Sequence, residues 1–283
     1  MIKSITAKLS LLFLLVAITT CYYEREINEE LEICFIRGGN IWIMDMDGSN
    51  QRQITFLGNT YSPSWSPDGR KILFTSSVIS EIFVVNSDGS GRKKLISGGS
   101  EQSQYPTWSA DGKKIIFTGE RSSLYYIFIA DTDGNIISKL GPYDKPEYPI
   151  LSPDENFIYF TSASWPYNLY RINLKTNQID AIGLNNYTSI SLSPDGKTLA
   201  CTYNSNETYI SNEIVFISTD GIATTHTLFT QGKEPCWTPD GKTIIYTSND
   251  NLIYTKNIDG TEGKPLITGI NMYHTPCVKW KPR

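Results

Sequence analysis

The chain has 283 residues, of which 40% are hydrophobic, 12% aromatic and 19% charged, so it can bury a sizeable core and is not a disordered chain. Its formal net charge is −4, without a basic run, and we therefore expect no nucleic-acid partner. Two histidines, His226 and His274, are too few for a histidine-rich metal site, and the abundance of tyrosine and phenylalanine favours strands.

Residues 1–20 predict a secretory signal peptide, because two lysines precede an apolar run that is shorter than the roughly 20 residues of a membrane span. Cys21 follows directly, and the run ITTC at residues 18–21 resembles a bacterial lipobox. We predict Cys21 as the lipidation site of an exported protein, with residues 21–30 as a short tether. Cleavage nearby to give a soluble exported protein and an uncleaved anchor are the alternatives.

One segment recurs five times along the chain. It reads PSWSPDGRKILFTS at residues 63–76, and its copies begin at residues 106, 149, 190 and 235. Each copy carries an aspartate, and the successive spacings are 43, 43, 41 and 45 residues: Asp68, Asp111, Asp154, Asp195 and Asp240. A spacing this regular indicates a repeat architecture.

A second sequence motif follows each copy, first as IFVVNSDGS at residues 82–90. A short strand such as KKLIS at residues 93–97 ends most units. Alternating β-branched, aromatic and polar residues predict four strands per unit. The Asp-Gly pairs suit tight turns, because aspartate bonds the turn backbone and glycine supplies positive φ. We therefore predict that the repeated aspartates stabilise turns and are neither catalytic carboxylates nor calcium ligands.

The two ends of the chain complete one further unit. The N-terminal piece from residue 31 supplies a second, third and fourth strand, and TPCVKWKPR at residues 275–283 supplies the first, with Trp280 aligned to Trp237. Units of ~40–45 residues with four strands are β-propeller blades. The sequence thus predicts one all-β domain over residues 31–283, a six-bladed β-propeller of four-stranded blades, closed by a composite blade without an open sheet edge.

The WSPDG-type strand and the following VVNxDGS theme resemble the propeller of TolB proteins and, more loosely, the propeller repeats related to WD repeats. The resemblance covers residues 31–283 and implies a periplasmic envelope protein with a protein partner. TolB proteins carry an α/β domain ahead of the propeller, whereas here the repeats begin within about ten residues of Cys21. We therefore expect a propeller-only relative.

Catalytic motifs are missing from the sequence. It contains no G-x-S-x-G nucleophile elbow and no phosphate-binding glycine motif. Propeller lyases that resemble this blade type hold a divalent metal with several histidines, which this chain lacks. We predict no enzymatic activity, no cofactor and no metal site.

Function is expected on the face formed by the variable connections, which include residues 119–126, 141–149, 162–168, 203–212 and 269–276. Aromatic and arginine side chains dominate binding hot spots, and these are the partner-binding candidates: Trp165, Tyr167, Tyr148, Tyr105, Tyr143, Arg121, Tyr273 and His274. Packing of the tyrosines over blade seams is the alternative. One tryptophan per blade is predicted to be core: Trp65, Trp108, Trp237 and Trp280.

Three functions remain open. The first is a monomeric scaffold that binds an envelope protein or peptide at the variable-loop face or channel mouth, with a lipid anchor on the periplasmic side or outer membrane. The second is a carbohydrate-binding or oligosaccharide-cleaving propeller, and the third is a structural spacer. The sequence also leaves open whether Cys34 and Cys277, on expected neighbouring strands, form a disulfide or are small buried hydrophobes.

Overall fold

A computed structural model describes residues 31–78, 80–97, 102–204, 212–220, 227–261, 265–267 and 277–280. These residues form 24 strands in six four-stranded antiparallel sheets, so the predicted six-bladed β-propeller is confirmed. The described ranges contain no helix, and hence none long and apolar enough to cross a membrane. The predicted signal peptide, the tether with Cys21, and the candidates Tyr273 and His274 lie outside the described residues.

Blade 1 combines both ends of the chain, in the sheet order β24-β1-β2-β3. Its strands are β1 (Leu31–Arg37), β2 (Asn40–Asp45), β3 (Arg52–Gln53) and β24 (Cys277–Trp280). Blades 2 and 3 follow in the chain. Their strands are β4 (Thr60–Trp65), β5 (Lys71–Ser76), β6 (Glu81–Asn86), β7 (Lys93–Ile96), β8 (Ser103–Trp108), β9 (Lys114–Arg121), β10 (Leu124–Asp131) and β11 (Ile136–Tyr143).

Blades 4, 5 and 6 repeat the same order. Their strands are β12 (Pro146–Leu151), β13 (Phe157–Ser162), β14 (Leu169–Asn173), β15 (Ile179–Gly183), β16 (Tyr187–Leu192), β17 (Thr198–Asn204), β18 (Asn212–Ser218), β19 (Thr227–Gln231), β20 (Lys233–Trp237), β21 (Thr243–Thr247), β22 (Ile253–Asn257) and β23 (Pro265–Ile267). In every blade the first strand of the unit is innermost and contacts the first strands of the neighbouring blades.

The repeated aspartates hold the turns between first and second strands, as predicted. Asp68 Oδ1 accepts hydrogen bonds from Ser66 Oγ at 2.6 Å and from Arg70 N at 3.0 Å, and Ser66 Oγ accepts one from Lys71 N at 2.9 Å. The same bonds recur in the other four complete blades, at Asp111, Asp154, Asp195 and Asp240. Because the lone pairs are engaged within the turn, these carboxylates have a structural role.

The hydrophobic core lies between the blades. The second strands are buried almost throughout, as in β5, because a neighbouring blade covers each face. Each of six apolar clusters in the described structure joins two adjacent blades. The cluster that contains Leu31, Ile33, Phe35, Ile245 and Ile253 joins blade 6 to blade 1 and so closes the ring.

Three complete blades carry the tryptophan of the repeat, and its side chain packs in or against an interblade cluster in each: Trp65, Trp108 and Trp237. The predicted place of the tryptophan in blade 1 is wrong. Val278 lies opposite Ile33, as Trp237 lies opposite Ile244. Each isoleucine also pairs with a residue of the third strand, and these two partners lie the same number of residues before the glycine of the turn that follows. The two isoleucines are therefore equivalent positions of the repeat. Val278 therefore occupies the repeat position, and Trp280 lies two residues beyond it.

Candidate functional site

The connections from second to third strands and the linkers between blades lie together on one face, which we call the loop face. Among the described residues it consists of the adjoining strand ends and residues 38–39, 54–59, 77–78, 80, 97, 102, 122–123, 144–145, 163–168, 184–186, 232 and 248–252. Hydrogen bonds link its segments: Thr60 N donates to Gly39 O, and Asn186 N donates to Pro166 O, both at 2.8 Å. The Asp-Gly turns lie at the opposite ends of the strands, on the turn face.

A β-bulge interrupts the first strand of each complete blade. In β8 the register shifts between Gln104 and Thr107, where Tyr105 has a φ of 52° and precedes Pro106. Positive φ before a proline recurs at the equivalent residues Ser62, Tyr148 and Glu234. Proline has no N–H for the ladder and is tolerated at bulges, which change the direction of the side chain there.

The six innermost strands enclose a channel cavity of about 130 Å³. Its lining includes Ser62, Tyr105, Tyr148, Cys236 and Cys277. The ring centroids of Tyr105 and Tyr148 are 4.6 Å apart, with an interplanar angle of 48°. Two of the predicted candidates therefore meet inside the channel, and both are bulge residues.

A second cavity of about 190 Å³ lies between blades 3 and 4, and we call it the cleft. Most of its lining is polar: Gln102, Gln104, Tyr105, Thr118, Glu120, Lys145 and Glu147. Tyr105 Oη donates a hydrogen bond to Glu147 Oε1 at 2.7 Å. Because Tyr105 lines both cavities, this Tyr–Glu pair connects the cleft to the channel.

Burial shifts the ionisation of this pair and of Tyr148. It raises the pKa of Glu147, an effect that the hydrogen bond from Tyr105 partly offsets. Burial also raises the pKa of Tyr105, with further contributions from Tyr148 and Glu147, and that of Tyr148, with contributions from Glu147 and Glu234. The site therefore offers neutral phenols and a poorly hydrated carboxyl group, which suits hydrogen bonding to a ligand group that enters the cleft.

Trp165 is the most exposed large hydrophobic side chain in the described structure, with 81% of its surface accessible. Its loop is anchored, because Ser162 Oγ donates to Asp144 O at 2.7 Å and Ser164 Oγ donates to Asp144 Oδ1 at 2.6 Å. Ala163 of the same loop lines the cleft. An exposed indole on an anchored loop is the kind of side chain that dominates binding hot spots.

Tyr143 and Arg121 stabilise the scaffold. The Tyr143 ring packs on Phe160 at a centroid distance of 5.4 Å. Arg121 Nη1 donates to Gln102 O at 3.1 Å, and its guanidinium lies over the ring of Phe128 at 4.9 Å. Since Gln102 lines the cleft, Arg121 supports the cleft wall from outside.

The predicted position of three tyrosines was wrong, because the blade strands extend further than the repeat pattern indicates. Tyr105, Tyr143 and Tyr148 lie in β8, β11 and β12 and not in connecting loops. Tyr167 does lie in a loop, where its carbonyl oxygen accepts a hydrogen bond from Tyr187 N at 2.8 Å. The structure thus brings together Tyr105 and Tyr148 in the channel, whereas Trp165 and Tyr167 share the loop at residues 163–168.

Sequence reasoning missed Glu147 and four exposed apolar residues of the loop face. With Trp165, the exposed apolar set of this face is Phe56, Val78, Leu124, Trp165 and Leu184. The other exposed large hydrophobics among the described residues lie on outer strands or the turn face: Ile136, Ile137, Ile179, Leu228 and Ile258. A search for apolar residues in the blade linkers could have found Phe56 and Leu184.

The five exposed apolar residues of the loop face come from blades 2 to 4 and from the linkers that lead into blades 2 and 5. Single exposed hydrophobics are ordinary, whereas exposed apolar patches are a feature of interaction surfaces. Among the described residues, no group of three His, Cys, Asp or Glu side chains is placed to hold a metal ion.

Comparison with known proteins agrees with this architecture. The profile of the TolB beta propeller domain matches residues 35–165. TolB from Acinetobacter baumannii superposes with a TM-score of 0.74 at 19% identity, covering 90% of this chain and 67% of that chain. A protein assigned as TolB from Agrobacterium tumefaciens gives 0.67 at 16% identity, covering 90% and 98%.

A chain of a nidogen–laminin complex also shares the fold, with a TM-score of 0.68 at 10% identity, covering 88% of this chain and 98% of that chain. No functionally curated protein matches the sequence. At these identities the structural matches establish the fold alone.

Proposed function

We propose that this chain, whose residues 35–165 match the TolB beta propeller domain, is a non-catalytic scaffold whose loop face binds a protein or peptide of the bacterial cell envelope. The observation that carries the proposal is the group of exposed apolar side chains on that face, led by Trp165 and Phe56, which are 81% and 78% exposed. Removing apolar surface from water contributes about 25 cal/mol per Å², from which the costs of association and side-chain ordering are subtracted.

The cleft adds a polar contact to this apolar surface. Glu147 and Lys145 line it, and Gln102 and Gln104 offer amide groups. A partner segment with an apolar side chain on Trp165 and a hydrogen-bond donor in the cleft would fit the arrangement. An apolar anchor with a few directed polar groups is the usual composition of a protein-binding hot spot and its surroundings.

Export and lipid anchoring form part of the proposal. They rest on the signal-like residues 1–20 and on the lipobox-like run that ends at Cys21. Anchoring at Cys21 would hold the propeller at a membrane surface within reach of other envelope proteins. Incorporation of labelled fatty acid into the wild type but not into Cys21→Ser tests this point.

The binding proposal is tested with the mature propeller and two matched variants. A photo-crosslinking amino acid at position 184, on the loop face, should capture an envelope protein, and the same group at position 258, on the turn face, should not. With the purified partner, Trp165→Ala should weaken the affinity at least about tenfold, whereas Ile258→Ala should leave it unchanged, as measured by calorimetry.

If positions 184 and 258 crosslink the partner equally, or if Trp165→Ala binds it as tightly as the wild type, the loop face is not the binding surface. If the wild type binds specific glycans on an array and Trp165→Ala does not, the ligand of the loop face is a carbohydrate and not a protein.

A further inference from the structure

Two cysteines from opposite ends of the chain meet at the point where the ring closes. Cys34 lies on β1 and Cys277 on β24, and the two residues are register partners 243 positions apart in the sequence. Their Sγ atoms are 2.8 Å apart. The side chain of Cys34 is fully buried in the cluster between blades 1 and 2, and Cys277 packs against the same cluster.

This placement meets the geometric requirements of a disulfide bond. Residues directly opposite on antiparallel strands have Cα atoms ~4.5–5.5 Å apart, and disulfides span Cα separations of ~4.4–6.8 Å. An S–S bond is ~2.05 Å long, so bond formation requires the sulfurs to approach by less than ~1 Å. The strands already provide the alignment.

We propose that Cys34 and Cys277 form an intramolecular disulfide that covalently closes the propeller between its first and last strands. The two thiols lose two protons and two electrons, and the electrons reduce the disulfide of an exchange partner to two thiols. One cysteine thiolate attacks that disulfide and releases the first thiol. The other cysteine thiolate then attacks the mixed disulfide, releases the second thiol and completes the Cys34–Cys277 bond.

The surroundings assign the order of these steps. Cys277 lines the channel cavity and is partly accessible, whereas Cys34 is buried. Cys277 therefore forms the mixed disulfide, and Cys34 resolves it. Burial and the neighbouring Cys34 raise the pKa of the Cys277 thiol, so exchange in the closed ring should be slow near neutral pH and faster at alkaline pH.

Cys236 is the competing partner for Cys277. It lies on β20, the innermost strand of blade 6, and lines the same channel cavity. However, β20 and β24 belong to different sheets, so Cys236 is not a register partner of Cys277. Cys201, which is fully buried on β17, does not line the cavity.

The test uses the full chain, reduced and then treated with oxidised glutathione. Peptide mass mapping without reductant should find the peptide that contains Cys34 linked to the one that contains Cys277, with a mass lower by two hydrogens. Cys236→Ser should keep this link, whereas Cys34→Ala and Cys277→Ala should each lose it. Mapping of the wild type needs no variant, so the result stands even if a variant folds poorly.

Thermal unfolding provides a second readout. A disulfide that closes so long a loop restricts the unfolded chain strongly, and the oxidised wild type and Cys236→Ser should melt higher than their reduced forms by on the order of 5–10 °C. Cys277→Ala should show no such difference. If Cys34 and Cys277 both remain free thiols after oxidation, or if Cys277 is linked to Cys236, the proposal is overturned.

Discussion

Glu147 lowers the stability of the folded protein, although its carboxyl group is part of the proposed binding site. It is a carboxyl group removed from much of its water, and its one described hydrogen bond comes from Tyr105. Burying a carboxylate without full compensation costs free energy, and such groups cluster at functional sites. The proposed binding role would account for a carboxyl group at this position, directly before a bulge residue of the channel.

Replacing this carboxyl should stabilise the protein in a pH-dependent manner. Because the folded-state pKa of Glu147 is raised above the unfolded value of about 4.3, the folded state binds more protons between the two values, and stability falls as pH rises through them. Glu147→Gln keeps an acceptor for Tyr105 and removes the charge. Its stability relative to wild type should rise between pH 4 and pH 7 by on the order of 1 kcal/mol, as measured by urea denaturation.

Glu120→Gln is the control for this prediction, since Glu120 lines the same cleft. A difference between Glu147→Gln and wild type that stays constant from pH 4 to pH 7 would show that burial does not penalise the Glu147 carboxylate.

At the scale of the element, the bulged first strand is the feature that creates the channel site. Four of the bulges hold a residue other than glycine at positive φ before a proline. Such backbone conformations cost roughly 1–3 kcal/mol and persist where the surrounding structure enforces them. Here the flanking ladder and the neighbouring blades enforce them, and three of the bulge residues line the channel: Ser62, Tyr105 and Tyr148.

A pair of glycine substitutions in β4 should reveal this strain. Ser62 has a φ of 50°, whereas Ser64 in the same strand is in the regular ladder opposite Leu73. Glycine adopts positive φ without steric cost but destabilises a regular strand by roughly 0.5–1 kcal/mol. Ser62→Gly should therefore be more stable than Ser64→Gly by about 1 kcal/mol in chemical denaturation. Equal stability of the two variants would mean that the bulge carries no backbone strain.

At the scale of the whole molecule, the ring depends on the pairing of its two ends. Six interblade clusters form a closed series, and β24 supplies the innermost strand of blade 1. Without β24, β1 would become an open edge with unpaired backbone groups next to the channel. Open edges of this kind promote association with other chains.

Truncation after residue 276 should therefore destabilise the entire propeller. We expect the melting temperature to fall by more than about 10 °C. Several kcal/mol of packing and strand pairing are lost, and each kcal/mol lowers the melting temperature by ~2–4 °C in a chain of this size. Size-exclusion chromatography should show oligomers. Truncation after residue 280, which keeps β24, is the control; if both truncated chains melt alike, the composite blade does not close the ring.

Much of the architecture follows from the sequence by itself. The Asp-Gly turns, the alternation within strands and the even spacing of five aspartates predicted the blade count and the composite blade, because turns and strand patterns are local and repeat in every unit. The same repeats also predicted the structural role of Asp68 and its equivalents, since each carboxylate bonds within its own turn.

Only the tertiary structure decided which side chains meet. Glu147 and Tyr105 are 42 residues apart, and their contact depends on the bulges and on how blade 3 packs against blade 4. The register of β24, which places Val278 rather than Trp280 at the repeat position, depends on pairing with β1 across the whole chain. Local patterns therefore determined the blades, whereas non-local packing determined the channel, the cleft and the contact between Cys34 and Cys277.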